Sequence, residues 1–67
     1  MKEVDARGLS CPEPMMMTQE ALEHTDGSVK VLVDEAHQRV NVEKVAKSKG
    51  RKVTATVKGS EFEIVIE

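Results

Sequence analysis

The chain's only cysteine lies where a turn leads into a predicted helix. Residues 8–15 read Gly-Leu-Ser-Cys-Pro-Glu-Pro-Met, so Cys11 directly precedes Pro12 and lies three residues before Pro14. Proline is favoured at the first helical position, where its missing N–H is not needed. A helix N-terminus carries partial positive charge and unpaired N–H groups, and these favour the nucleophilic thiolate form of cysteine. The segment therefore predicts thiol chemistry at Cys11.

The residues around the cysteine predict how its sulfur is presented. Pro12 and Pro14 stiffen the turn because each has a fixed φ and no N–H donor. Glu13 suits the helix start, but its carboxylate disfavours a thiolate if the two groups are close. Arg7 or Arg39 can offset that charge. We therefore expect the turn to act mainly by presenting the sulfur.

A buried, inert cysteine is the alternative interpretation of Cys11. Free cysteine is among the most buried residue types. A turn with two prolines at the carboxyl end of a strand is a poor place to fill a core, and loops at that end of a sheet commonly carry binding sites. The pattern favours a functional cysteine.

The first half of the chain predicts a strand, a helix and a second strand. Val4 and Ala6 alternate with charged residues and predict a short strand. The helix is expected to begin near Pro12 and to end at Asp26-Gly27. Residues 29–33 predict a central strand because both of its faces carry apolar side chains. The helix has one apolar face, with Met17 at its margin, made of Pro14, Met15, Thr18, Ala21, Leu22 and Thr25.

The second half predicts a helix followed by a hairpin. We expect Asn41 to cap the helix, because Val40 and Val45 then occupy the positions of a hydrophobic staple, and Gly50 to end it. Alternating segments on either side of Gly59-Ser60 predict two strands with one solvated face, on which Lys and Glu side chains can pair. The inward positions are Val53, Ala55, Val57, Phe62, Ile64 and Ile66.

These elements predict an α/β (α+β) fold, a two-layer α/β sandwich in β-α-β-α-β-β order. A mixed four-stranded sheet carries both helices on one face, and a right-handed crossover makes the first two strands parallel. Loops that follow parallel strands emerge at the same edge of a sheet. Residues 7–11 and 34–39 should therefore lie close together, which makes Asp34, His37 and Arg39 candidate neighbours of Cys11.

Composition excludes several classes of function. The 67-residue chain has a net charge of −2 and Phe62 as its only aromatic residue, which disfavours direct nucleic-acid binding. It has no apolar run long enough for a membrane span and no signal-peptide core. One cysteine cannot form an internal disulfide, and one cysteine with two separated histidines gives no zinc-ligand spacing. We expect a single cytoplasmic domain, residues 1–67, that needs no metal or cofactor.

Residues 5–14, Asp-Ala-Arg-Gly-Leu-Ser-Cys-Pro-Glu-Pro, resemble the signature of the TusA/SirA/YedF family of sulfur-carrier proteins. The resemblance extends from the Cys-Pro-x-Pro core to the Gly-Leu pair ahead of it and to Ala21-Leu22, and it covers essentially the whole chain. Residues 34–50, which include Asn41-Val42, resemble the YedF-like branch more than TusA itself. The family pattern also has an acidic residue after the second strand, which Asp34 matches.

The resemblance implies that Cys11 is a persulfide site, with Pro12, Pro14 and Asp34 carried over as residues that shape it. A cysteine desulfurase or a rhodanese-like protein would supply the sulfur, and a second protein would accept it. Members of the family serve tRNA thiolation, sulfur oxidation, molybdenum-cofactor sulfur supply or selenium metabolism, and the resemblance does not choose among these. No cofactor is implied.

Two further expectations concern partners. Met16 points outward one turn from Cys11, so we expect it to belong to a docking surface, to which Arg39 and His37 can also contribute. The chain is expected to be a monomer or a weak dimer. A noncatalytic interaction or regulatory domain, in which the Cys-Pro-Glu-Pro turn is only a helix cap, is the competing functional class.

Overall fold

All six predicted elements are present and follow the predicted order. The structure is a computed structural model that describes residues 1–67. The elements are β1 (Lys2–Asp5), α1 (Glu13–Glu23), β2 (Val29–Val33), α2 (Ala36–Ser48), β3 (Val53–Lys58) and β4 (Glu61–Ile66).

The four strands form one mixed sheet in the order β1-β2-β4-β3. β1 pairs parallel with β2, and the other two pairings are antiparallel. β2 is central, as predicted, and Val29, Val31 and Val33 on its inner face are fully buried. The prediction of an α+β sandwich with a mixed sheet is confirmed.

The outer face of the sheet is polar and carries ion pairs between strands. Lys30 Nζ lies 3.6 Å from a Glu3 carboxylate oxygen on β1 and 3.9 Å from one of Glu63 on β4. Lys58 Nζ on β3 lies 3.4 Å from the same Glu63 oxygen. The predicted solvated face is therefore present. Exposed pairs of this kind contribute only about 0–1 kcal/mol each, so burial on the other face must supply most of the stability.

Both helices cover that other face. Helix α1 buries Pro14, Thr18, Ala21 and Leu22, close to the predicted face. The Thr18 hydroxyl donates to the Pro14 carbonyl at 2.8 Å, so this buried polar group is satisfied. The core between the layers consists of Val4, Ala6, Ala21, Leu22, Val29, Val31, Val33, Val42, Ala46, Ile64 and Ile66.

The predicted start of α2 is wrong. The helix begins at Ala36 with Glu35 as its N-cap, so Asn41 lies inside it and does not cap it. The buried face of α2 runs through Gln38, Val42 and Ala46 at helical spacing. Because Gln38 is polar, the periodicity of apolar residues does not indicate the first turn of the helix. Two residues, 34 and 35, therefore separate β2 from α2, whereas a helix capped by Asn41 would leave eight.

Two further details depart from the predictions, whereas Met17 lies at the margin of the apolar face, as predicted. Helix α1 ends at Glu23, short of Thr25, in keeping with the turn preference of the Asp26-Gly27 pair that follows. Met17 is 36% exposed and Val57 is 68% exposed. Val57 does share a sheet face with its partner Phe62, but this part of the hairpin remains open to solvent.

The hairpin turn follows the predicted chemistry. Gly59, the first of its two turn residues, has a φ of +64°, which two-residue hairpin turns require at one or both central positions. Neither helix is long and apolar enough to cross a membrane.

Two hairpin positions that differ in burial provide a test of where the core lies. Ile64→Val should lower the free energy of unfolding by about 0.5–1.5 kcal/mol, because Ile64 is fully buried and loses a methylene. Val57→Ala, in the same hairpin, should change it by less than about 0.5 kcal/mol. Urea unfolding of both variants measures the difference. Equal losses would contradict the assigned core.

Candidate functional site

The loop between β1 and α1 continues the parallel pairing of β1 with β2. Beyond the end of β1, the Ala6 N–H donates to the Leu32 carbonyl at 2.9 Å. Two residues later the Gly8 N–H donates to Asp34 Oδ2, also at 2.9 Å. The Asp34 carboxylate therefore takes the place of the next carbonyl along the ladder. Gly8 has a φ of +78°, a conformation that glycine adopts without strain.

Arg7 anchors the other side of this loop. Its guanidinium donates to the Asp5 carboxylate at 2.8 and 2.9 Å and to a Glu61 carboxylate oxygen at 3.2 Å. The hydrogen bonds to Asp5 from the Arg7 side chain and from the Arg7 N–H lower the pKa of Asp5 to about 2. Arg7 is thus engaged with the start of β4 and the end of β1, and it does not line the pocket that contains Cys11.

Cys11 is exposed and lies two residues before the first residue of α1. Pro12 is the N-cap, joined to Cys11 by a cis peptide bond, and no side chain caps the helix. The Glu13 N–H donates to the Ser10 carbonyl at 2.9 Å. Because Pro12 and Pro14 have no N–H, the helix start offers the sulfur few free donors. The local geometry fixes where the sulfur lies more than it surrounds it with amides.

An open pocket of about 760 Å³ lies between the Cys11 loop and the first turns of α2. Two of the three predicted neighbours of Cys11, Asp34 and His37, line it together with Cys11. His37 lies on the first turn of α2 and is exposed, and it makes no hydrogen bond to the sulfur. The expectation that the loop after β1 approaches the segment after β2 is confirmed by this geometry.

Arg39 and Glu13 lie elsewhere. The Arg39 guanidinium donates to Glu43 at 3.2 Å and lies 5.5 Å from the centre of the Phe62 ring, a cation–π arrangement. Glu13 borders a shallow hollow on α1 together with Met16 and two neighbours, not the pocket of Cys11. Glu13 therefore does not line the pocket of Cys11, and Arg39 is engaged with Glu43 and Phe62.

Met16 is 58% exposed on α1. It borders the hollow of about 280 Å³ with Glu13, Met17 and Glu20. An exposed, flexible apolar side chain beside carboxylates is a feature of adaptable interaction surfaces.

Three pocket residues of α2 and its N-cap were not predicted: Glu35, Gln38 and Asn41. Asn41 Nδ2 lies 3.9 Å from Cys11 Sγ, a long contact in which the amide donates towards sulfur. Gln38 is only 3% exposed, and its Oε1 is buried without a hydrogen-bond partner. The i, i+4, i+8 spacing of Gln38 with Val42 and Ala46 indicates that Gln38 shares their buried face. Predicting this from the sequence requires a polar residue to be assigned to the core side of the helix.

The arrangement suits exchange at a surface thiol. The pocket is open and lined mainly by polar residues, unlike the enclosed apolar clefts that bury small substrates. No three His, Cys, Asp or Glu side chains are grouped so that they could hold a metal ion. What the site offers is one accessible sulfur on a loop held at both ends, with side-chain amides beside it.

Comparison with known proteins assigns the family. The profile of the family described as sulfurtransferase TusA matches residues 2–67. Among solved structures, a SirA-like protein from Desulfitobacterium hafniense is 33% identical, with a TM-score of 0.93 over 98% of this chain and 95% of that chain. No curated protein matches the chain. The chain therefore belongs to the TusA sulfurtransferase family, and its general role is to carry sulfur between protein partners.

Proposed function

We propose that Cys11 is the residue that carries the sulfur and that it holds the transferred atom as a persulfide. The observation that carries the proposal is the placement of the chain's only cysteine, exposed, on a loop tied to the sheet through Gly8 and Asp34. We further propose that residues 1–67 act as one domain in the cytoplasm. Pro12 and Pro14 support the site by limiting the conformations of the turn.

Two exchange steps account for the transfer. In the first, the Cys11 thiolate attacks the outer sulfur of the donor's persulfide; a bond forms between Sγ and that sulfur, and the donor cysteine leaves as a thiolate with the electron pair of the broken S–S bond. In the second, an acceptor thiolate attacks the sulfur on Cys11, and the Cys11 thiolate leaves. The sulfur keeps its oxidation level in both steps, so neither requires an oxidant or a cofactor.

An exposed sulfur is the main requirement of such exchange. The attacking thiolate must approach along the S–S bond, so two proteins must bring their sulfurs together without steric obstruction. The open pocket and the neighbouring exposed surface of α1 leave room for this approach. We propose a cysteine desulfurase or a rhodanese-like protein as donor and a second protein as acceptor, in a pathway such as tRNA thiolation. A selenium-handling role like that of the YedF branch is the alternative.

Replacing the cysteine tests the proposal directly. Wild-type protein incubated with cysteine and a cysteine desulfurase should gain the mass of one sulfur atom, and Cys11→Ala should gain none, because the thiolate is the nucleophile. Intact-mass spectrometry measures both. Absence of the adduct on wild type with both desulfurase and rhodanese donors would instead favour a noncatalytic interaction domain.

Replacing Met16 tests the docking surface. We expect Met16→Lys to slow sulfur acceptance from the desulfurase by roughly fivefold or more, the effect of losing about 1 kcal/mol at an interface. Its thermal stability should stay near wild type because Met16 is 58% exposed. Thr56→Lys adds the same charge at an exposed position of β3 and should transfer normally. Wild-type kinetics in Met16→Lys would refute the role of Met16.

A further inference from the structure

The side-chain amides of this chain are concentrated at one place. The sequence has three such residues, Gln19, Gln38 and Asn41. Gln38 and Asn41 line the pocket of Cys11, whereas Gln19 lies exposed on α1 away from it. Asn41 is half-buried, and its Nδ2 already points to Cys11 Sγ at 3.9 Å.

Gln38 provides an independent indication that the pocket is incomplete. The residue is 97% shielded from solvent, given its 3% exposure, and its Oε1 has no partner. Buried polar side chains are nearly always hydrogen-bonded, so an exception calls for an explanation. The unpartnered atom is an acceptor, but no hydrogen bond fixes the Gln38 amide. A half-turn about the last side-chain bond exchanges Oε1 with Nε2, so Gln38 can offer a donor at that position to a new acceptor.

We propose that the amides of Asn41 and Gln38 hold the outer sulfur of the Cys11 persulfide inside this pocket. This inference rests on the proposed function, since it requires a persulfide at Cys11. The outer sulfur would lie about 2.05 Å from Sγ, the length of an S–S bond. From there it can reach hydrogen-bond distance of Asn41 Nδ2 without moving either side chain, because Nδ2 is 3.9 Å from Sγ.

The charges around the pocket explain why amides suit this task. Asp34 and Glu35 line the pocket and disfavour a negatively charged sulfur, and Asp34 is already bonded to the Gly8 N–H. Ser10 and His37 can also donate, but both are exposed to competing water. Neutral amide donors stabilise the outer sulfur less strongly than a lysine or arginine would, so the outer sulfur remains available for transfer to an acceptor thiolate.

The amide resonances report the contact directly. The wild-type chain is loaded with inorganic polysulfide, intact mass confirms one added sulfur, and the ¹H–¹⁵N spectrum is compared with that of the reduced protein. We expect the NH₂ signals of Asn41 and Gln38 to shift on loading, while those of Gln19 stay in place as an internal control. The three amides are assigned by their substitution.

The lifetime of the Cys11 persulfide measures how strongly the two amides hold its outer sulfur. Asn41→Leu and Gln38→Met remove the amides at similar volume, and Gln19→Met is the matched control. We expect each pocket variant to lose the added sulfur to a small thiol roughly two- to tenfold faster than wild type, the range that one hydrogen bond supplies. Gln19→Met should keep the wild-type lifetime. Melting curves confirm that each variant is folded.

The outcomes separate this inference from the proposed function. A wild-type chain that takes up no sulfur from polysulfide or from the desulfurase refutes the persulfide at Cys11 itself. A chain that loads normally, but whose Asn41 and Gln38 signals do not shift, refutes only the role of the amides. Wild-type lifetimes in both pocket variants refute it equally.

Discussion

The site depends on the parallel pairing of β1 with β2. This pairing brings the loops that follow both strands to the same edge of the sheet, and two hydrogen bonds extend it beyond β1. The first joins the Ala6 N–H to the Leu32 carbonyl, and the second joins the Gly8 N–H to the Asp34 carboxylate, each at 2.9 Å. Three residues after Gly8 the chain reaches Cys11. The central strand, whose inner face is fully buried, therefore sets the position of an exposed sulfur.

Much of this could be predicted because the relevant signals are local. Alternation predicted the hairpin, the apolar segment 29–33 predicted the central strand, and the prolines after Cys11 predicted where α1 begins. The crossover rule then places Asp34 and His37 near the cysteine. The pairing of strands and the approach of the two loops follow from these rules together.

The features that were not predicted, or were predicted wrongly, depend on tertiary contacts that no local sequence pattern encodes. Asn41 has the residue type of a cap, and a plausible staple around it gave the wrong helix start. In the structure its side chain turns to the sulfur instead, 3.9 Å away. Arg7 and Arg39 were expected near Cys11, but carboxylates and Phe62 hold them elsewhere. Residue types alone do not determine which carboxylate or aromatic ring a long charged side chain contacts.

We propose that the loop acts by presenting the sulfur to a protein partner. Asp34→Ala removes the acceptor of the Gly8 N–H, whereas Asp34→Asn keeps an oxygen there and removes only the charge. The most direct measurement compares, in both variants, sulfur acceptance from the desulfurase with alkylation of Cys11 by iodoacetamide. We expect Asp34→Ala to slow sulfur acceptance while alkylation stays near wild type, and Asp34→Asn to retain both. Wild-type sulfur acceptance in Asp34→Ala, or an equal loss of both reactions, would contradict it.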